Sequence, residues 1–79
     1  MEIRFFAGAA EAAGHDSVEF DADGLTADDV VARLSEGNER LAKVLGVSAL
    51  LADGTRITDR GADLSAVRSL DVLPPFAGG

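Results

Sequence analysis

The chemistry that this sequence could support is concentrated in its last segment, Leu73–Gly79, which reads Leu-Pro-Pro-Phe-Ala-Gly-Gly. The two prolines favour an extended, stiff backbone, and the two glycines have no Cβ and can pass through a narrow channel. The four residues after Pro75 span roughly 13 Å when extended. We therefore expect the carboxylate of Gly79 to reach another protein's active site, to be activated there, for example as an acyl-adenylate, and to accept an amine or sulfur nucleophile.

Other catalytic patterns are weak. The chain has no cysteine, which excludes disulfides, thiolate nucleophiles and cysteine metal sites. His15 is the only histidine, and a solvated loop position is favoured over a functional one. The aspartates that follow Phe20 lack the spacing of a calcium-binding loop. The sequence therefore predicts no metal site and no tightly bound cofactor.

Composition limits the possible partners. The 79 residues carry a formal net charge of −7, which disfavours nucleic acid and anionic membranes because their phosphates would be repelled. The sequence has no apolar run near the roughly 20 residues of a membrane helix, and its first residues do not resemble a signal peptide. We expect a cytoplasmic protein whose partners are other proteins.

The first half of the chain predicts a hairpin followed by a helix. Apolar and polar residues alternate over 2–7 and 17–21, as in half-buried strands, and a short Ala-rich helical turn at 9–13 lies between them. Thr26 is typical of a helix N-cap, with its hydroxyl accepting from the amide of Asp29. Ala27, Val30, Val31 and Leu34 then form one apolar stripe.

The second half predicts a short helical segment after Asn38, a strand at 47–52, and a hairpin turn at Asp53-Gly54. A last strand covers 69–73 and ends at the prolines, which cannot donate a ladder hydrogen bond. This order predicts an α+β fold of the β-grasp type, with a mixed sheet of about four to five strands and one main crossing helix. Residues 1–75 would form the domain and 76–79 a flexible tail.

Two apolar residues interrupt the polar face of this predicted sheet. Phe6 has the parity of Arg4 on the first strand, and Leu73 has the parity of Asp71 on the last. Because the first and last strands are neighbours in a β-grasp sheet, these side chains are predicted to form an exposed apolar patch at the base of the tail. Exposed patches of this kind often mark partner surfaces, so we predict that Phe6, Leu73, Pro74 and Pro75 dock a partner.

The sequence resembles the MoaD/ThiS family of ubiquitin-like sulfur carriers over nearly its whole length. The opening Ile3–Ala7 with the helical turn to Gly14, the helix beginning at Thr26, and the Pro-Pro-Phe-Ala-Gly-Gly ending carry the resemblance. It is strongest to the MoaD branch, the small subunits of molybdopterin synthase.

The resemblance implies a non-catalytic subunit that carries sulfur. A ubiquitin-activating-like adenylyltransferase would use ATP and magnesium to adenylate Gly79, and a sulfur donor enzyme would convert the adenylate to a thiocarboxylate. The large subunit of molybdopterin synthase, in a heterotetramer, would supply the catalytic side chains and use the sulfur for the dithiolene of molybdopterin. Phe76, Ala77 and Gly78 would let the tail enter the partner's active site.

The sequence is compatible with other functions. The same tail would suit a sulfur carrier for thiamin or another metabolite, although the Pro-Pro pair favours the MoaD branch. It would equally suit a protein modifier that is conjugated to lysines through Gly79, as in archaeal small modifiers. A plain interaction domain with an inert tail ranks last.

Overall fold

The computed structural model describes residues 1–75. The elements along the chain are β1 (Glu2–Phe5), α1 (Gly8–Ala13), β2 (Ser17–Glu19), α2 (Ala27–Ser35), α3 (Glu39–Val47), β3 (Ala49–Ala52), β4 (Thr55–Arg56) and β5 (Ser69–Leu73). The strands form one mixed sheet in the order β2-β1-β5-β3-β4. The predicted α+β class is confirmed, and so is the return of the last strand beside the first.

The pairing of β1 with β5 is parallel and places Ile3 opposite Leu70 and Phe5 opposite Val72. The side chains of these four residues point to one face, where each is at most 5% exposed. On the other side of β5, β3 runs antiparallel and places Leu50 opposite Val72. One face of the sheet is therefore closed by apolar side chains under the helices, and alternate residues of the same strands form the open face.

The two longer helices begin at side-chain caps. Thr26 accepts from the amide of Asp29 at 3.2 Å, as predicted, and the carboxylate of Asp29 accepts in return from the amide of Thr26 at 3.0 Å. These reciprocal bonds satisfy two amides that the first turn leaves unpaired. Asn38 caps α3 by accepting from the amide of Leu41, and it also donates to the carbonyl oxygen of Ala12 at the end of α1. The second contact ties α3 to α1.

The helix after Asn38 is longer than the sequence suggested. α2 and α3 each contain nine residues, so the fold has two substantial helices where one main helix was expected. α3 continues through Gly46 to Val47, into the predicted strand 47–52, because the buried Leu41 and Leu45 hold the helix against the core. The following strand is shorter as a result and begins at Ala49 rather than at 47.

The Asp53-Gly54 hairpin is confirmed, and it has a second role. Both residues have positive φ, 49° and 85°, as the mirror-image turns of tight hairpins require. The carboxylate of Asp53 also accepts from the amides of Arg68, at 3.1 Å, and Ser69, at 3.0 Å. The turn therefore fixes the beginning of β5, the strand that leads to the tail.

The core has a single apolar cluster between the sheet and the helices. Leu64, in the segment between β4 and β5, is 1% exposed and holds that segment against the core. The buried members of the cluster are Ile3, Phe5, Ala9, Ala12, Ala22, Ala27, Val30, Leu41, Leu45, Leu50, Leu64, Leu70 and Val72.

Candidate functional site

The candidate site is the end of the open sheet face where the chain leaves β5. Pro74 follows the strand and is half-buried, and Pro75 is exposed. Phe76, Ala77, Gly78 and Gly79 lie outside the described residues, so the roles assigned to them remain predictions. What the structure describes is the surface from which the predicted tail would depart.

Phe6 and Leu73 meet at this end of the sheet. The β1–β5 register continues past Phe5, because the amide of Phe6 donates to the carbonyl oxygen of Val72 at 3.2 Å. Phe6 therefore lies beside Leu73, as the parity argument predicted. The Phe6 side chain is 39% exposed, whereas Leu73 is half-buried. Their proposed role in docking remains a prediction.

An ion pair lies next to these residues on the open face. Nε of Arg4 donates to one carboxylate oxygen of Asp71 at 2.6 Å, and Nη2 donates to the other at 3.0 Å. These hydrogen bonds, followed by the attraction of the two charges, raise the pKa of Arg4 above its ordinary value. The two-pronged geometry is the specific one for guanidinium and carboxylate. It joins β1 to the strand that leads to the tail.

Sequence reasoning placed Arg4 and Asp71 on the open face but did not pair them. The sequence contained the information needed to pair them. Arg4 lies two residues before Phe6, and Asp71 lies two residues before Leu73. If Phe6 and Leu73 are neighbours on adjacent parallel strands, the two opposite charges must also face each other. The register of the two strands would have predicted the ion pair.

Val47 was missed as a surface residue. It is 65% exposed, and with Phe6 it makes up the exposed large apolar side chains of the described part of the chain. Val47 ends α3 two residues before Ala49, which pairs with Leu73 across the sheet. The sequence assigned Val47 to a strand, where its exposure could not be foreseen.

A pocket of about 460 Å³ opens beside Phe6. Its lining combines an apolar wall with charged and hydroxyl groups, contributed by Glu2, Arg4, Phe6, Ala10, Asp16 and Ser17.

Ala7, which also borders this pocket, has φ 49° and ψ −126°. Holding a residue that has a Cβ in such a sparsely populated backbone conformation costs roughly 1–3 kcal/mol of free energy. The chain therefore holds a strained residue between Phe6 and the beginning of α1.

The described residues offer few groups for catalysis. No cluster of three or more histidine, cysteine or acidic side chains in residues 1–75 could hold a metal ion, and His15 is exposed. Within the same range, no helix is long and apolar enough to cross a bilayer. The described residues instead place an exposed phenylalanine, an ion pair and a pocket beside the end of β5.

Comparison with known proteins bears on the family and the fold. The model of the ThiS family matches residues 3–79. SAMP1 from Haloferax volcanii is similar at 29% identity and a TM-score of 0.74, over 100% of this chain and 98% of that one. Another crystal structure, of the small archaeal modifier protein 1 of H. volcanii, matches at 28% identity and a TM-score of 0.72, over 95% of each chain.

A third similar structure is the solution structure of the Haloferax volcanii HVO 2177 protein. It is 29% identical, with a TM-score of 0.68 over 99% of this chain and 84% of that one. No curated protein sequence gives a significant match.

Proposed function

The chain belongs to the ThiS family, and from that premise we propose that it is a ubiquitin-like carrier that acts through the activated carboxylate of Gly79. The observation that carries the proposal is the family match, which extends through the Gly-Gly ending to residue 79. The domain adds a partly apolar surface where the tail begins. On this account the domain docks, the tail reacts, and the catalytic side chains belong to the partners.

The first step is adenylation by a ubiquitin-activating-like adenylyltransferase. A carboxylate oxygen of Gly79 attacks the α-phosphorus of ATP, a phosphorus–oxygen bond forms, and pyrophosphate leaves. Magnesium bound by the enzyme would balance the charge of the phosphates. The product is an acyl-adenylate with a good leaving group, which the free carboxylate lacks.

The first candidate fate of the adenylate is conjugation to a protein. The amine of a target lysine attacks the Gly79 carbonyl carbon, a carbon–nitrogen bond forms, and AMP leaves with the bonding electron pair as the amine loses a proton. Similarity to the small archaeal modifier protein 1 over 95% of both chains favours this fate. We therefore place the protein-modifier function first.

The second candidate fate is sulfur transfer. A hydrosulfide equivalent from a sulfur donor enzyme attacks the same carbon, AMP leaves, and Gly79 becomes a thiocarboxylate. ThiS-family membership and the Pro74-Pro75 pair favour it. The narrower role, as small subunit of molybdopterin synthase bound to a large subunit in a heterotetramer, remains a prediction.

One experiment separates the two fates. Trypsin cleaves after Arg68, so a conjugated lysine would carry the peptide 69–79 in a digest of cellular proteins. A sulfur carrier would instead appear as intact protein whose mass reflects the exchange of one oxygen for one sulfur. Cells that express a chain lacking Gly79 are the control for both products. Finding neither product in cells with the intact chain would refute the proposal.

A further inference from the structure

We propose that the pocket beside Phe6 receives a lysine or arginine side chain of the adenylating enzyme. The inference rests on the proposed function, because it names a contact that would guide the tail to that enzyme.

The charges around the pocket favour a cation. Glu2 and Asp16 contribute carboxylates to its lining, and Arg4 is the cation among the lining residues in the described range 1–75. Arg4 is already engaged, because its guanidinium donates to both carboxylate oxygens of Asp71. Its positive charge is therefore largely balanced before a ligand arrives, and Glu2 and Asp16 leave the pocket with excess negative charge. Within residues 1–75, neither of those two carboxylates forms an ion pair of its own, although the charge of Glu2 adds weakly to the effect of Asp71 on the pKa of Arg4.

The shape and the apolar wall favour a long side chain. The pocket is an open depression of about 460 Å³, which is ample for the end of one side chain. Phe6 and Ala10 offer apolar surface for a methylene stem. Lysine and arginine bury such stems while their charged ends reach polar groups. The phenyl ring of Phe6 can add a cation–π contact.

The position of the pocket identifies the partner. Phe6 borders the pocket and lies beside Leu73, the last residue of β5. A protein that draws the tail into its active site must cover this end of the sheet, and the adenylating enzyme does so in the first step. The net charge of −7 would also attract a basic surface over long range.

Charge-removing substitutions test the proposal. The double variant Glu2→Gln/Asp16→Asn removes both free carboxylates of the pocket with little change in volume. The matched control, Glu36→Gln/Asp23→Asn, removes the same charge from exposed positions that do not line the pocket. The readout is ATP–pyrophosphate exchange by the adenylyltransferase of the same organism, with the concentration of the carrier varied. Thermal melts check that all variants are folded.

The pocket variant is expected to raise the KM for the carrier about tenfold, as for a lost charge contact at an interface, with a much smaller effect on kcat. The control should change KM less than about twofold, because its charges act only at long range. Equal changes in the two variants, or no change in either, would overturn the pocket assignment. Absence of exchange with the wild-type chain would refute the proposed function itself, and the pocket assignment would fall with it.

Discussion

The two faces of the sheet consist of alternate residues of the same strands, but they carry different chemistry. Ile3, Leu70 and Val72 lie on the covered face and are at most 1% exposed. Their chain neighbours Arg4 and Asp71 lie on the open face and form an ion pair. The covered face holds the domain together. The open face would be free to vary for binding, because little of the apolar core depends on it.

The largest expected effect comes from breaking the covered face. Val30 lies on the core-facing side of α2 and is fully buried in the cluster that covers this face, and Val30→Asp would place an unpaired carboxylate among apolar side chains. The free-energy cost of burying an unpaired charge exceeds the free energy of unfolding of a marginally stable domain. We expect the variant to lack a cooperative thermal transition, as measured by circular dichroism.

Leu34 lies on the same apolar stripe but is only half-buried, so an aspartate side chain at this position can reach water. Leu34→Asp is therefore expected to lower the melting temperature without abolishing the fold. A Val30→Asp variant as stable as the Leu34→Asp variant would contradict the assignment of the covered face.

Two leucines on β5 allow the two faces of the sheet to be compared directly. Leu70 is 1% exposed on the covered face, and Leu73 is half-buried on the open face. Leu70→Ala should lower the free energy of unfolding by about 2–5 kcal/mol, as core truncations do. Leu73→Ala and Phe6→Ala should cost less stability, but should weaken binding to the activating enzyme by about 2 kcal/mol if these residues are interface hot spots.

Chemical denaturation and a binding titration on the same three variants measure both quantities. If Leu73→Ala destabilised the fold as much as Leu70→Ala, Leu73 would belong to the core. Folded Leu73 and Phe6 variants with unchanged affinity would mean that the tail binds without this surface.

The smallest expected effect concerns the cap of α2. Hydrogen bonding with the backbone amide of Thr26, and secondarily with its side chain, lowers the pKa of Asp29. Because the folded-state pKa lies below that of the unfolded chain, this stabilisation is present at neutral pH and is lost as the pH falls through the lowered value. Asp29→Asn should therefore lower the melting temperature slightly at pH 7, and the difference should vanish in acid. Asp28→Asn, a first-turn residue outside the cap, is the control; a loss of equal size would indicate that the helix dipole alone is responsible.

Much of the fold could be predicted from local patterns. Alternation located β1 and β5, the hydroxyl of Thr26 located the beginning of α2, and Asp53-Gly54 located the hairpin. In each case a few adjacent residues determine the local geometry. The alternation of side chains between the two faces of a strand also predicted one feature of the tertiary structure, the position of Phe6 beside Leu73.

The features that were missed depend on residues far apart in the chain. The full length of α3 rests on tertiary packing of Leu45, which offsets the poor helix propensity of Gly46. The pocket beside Phe6 arises only when α1 and β2 meet around β1, and no local pattern signals it. The strained backbone of Ala7 likewise has no signature in an alanine-rich segment.

In the proposed function, the carboxylate of Gly79 is the reacting group and residues 1–75 form the docking domain. The most direct measurement is adenylation of three chains by the same activating enzyme: wild type, one lacking Gly79, and one with an alanine added after it. Intact mass would follow the product, and thermal melts would compare the folds. The account predicts three equal melting temperatures and an adenylated product from the wild type alone. Full adenylation of the extended chain would contradict it.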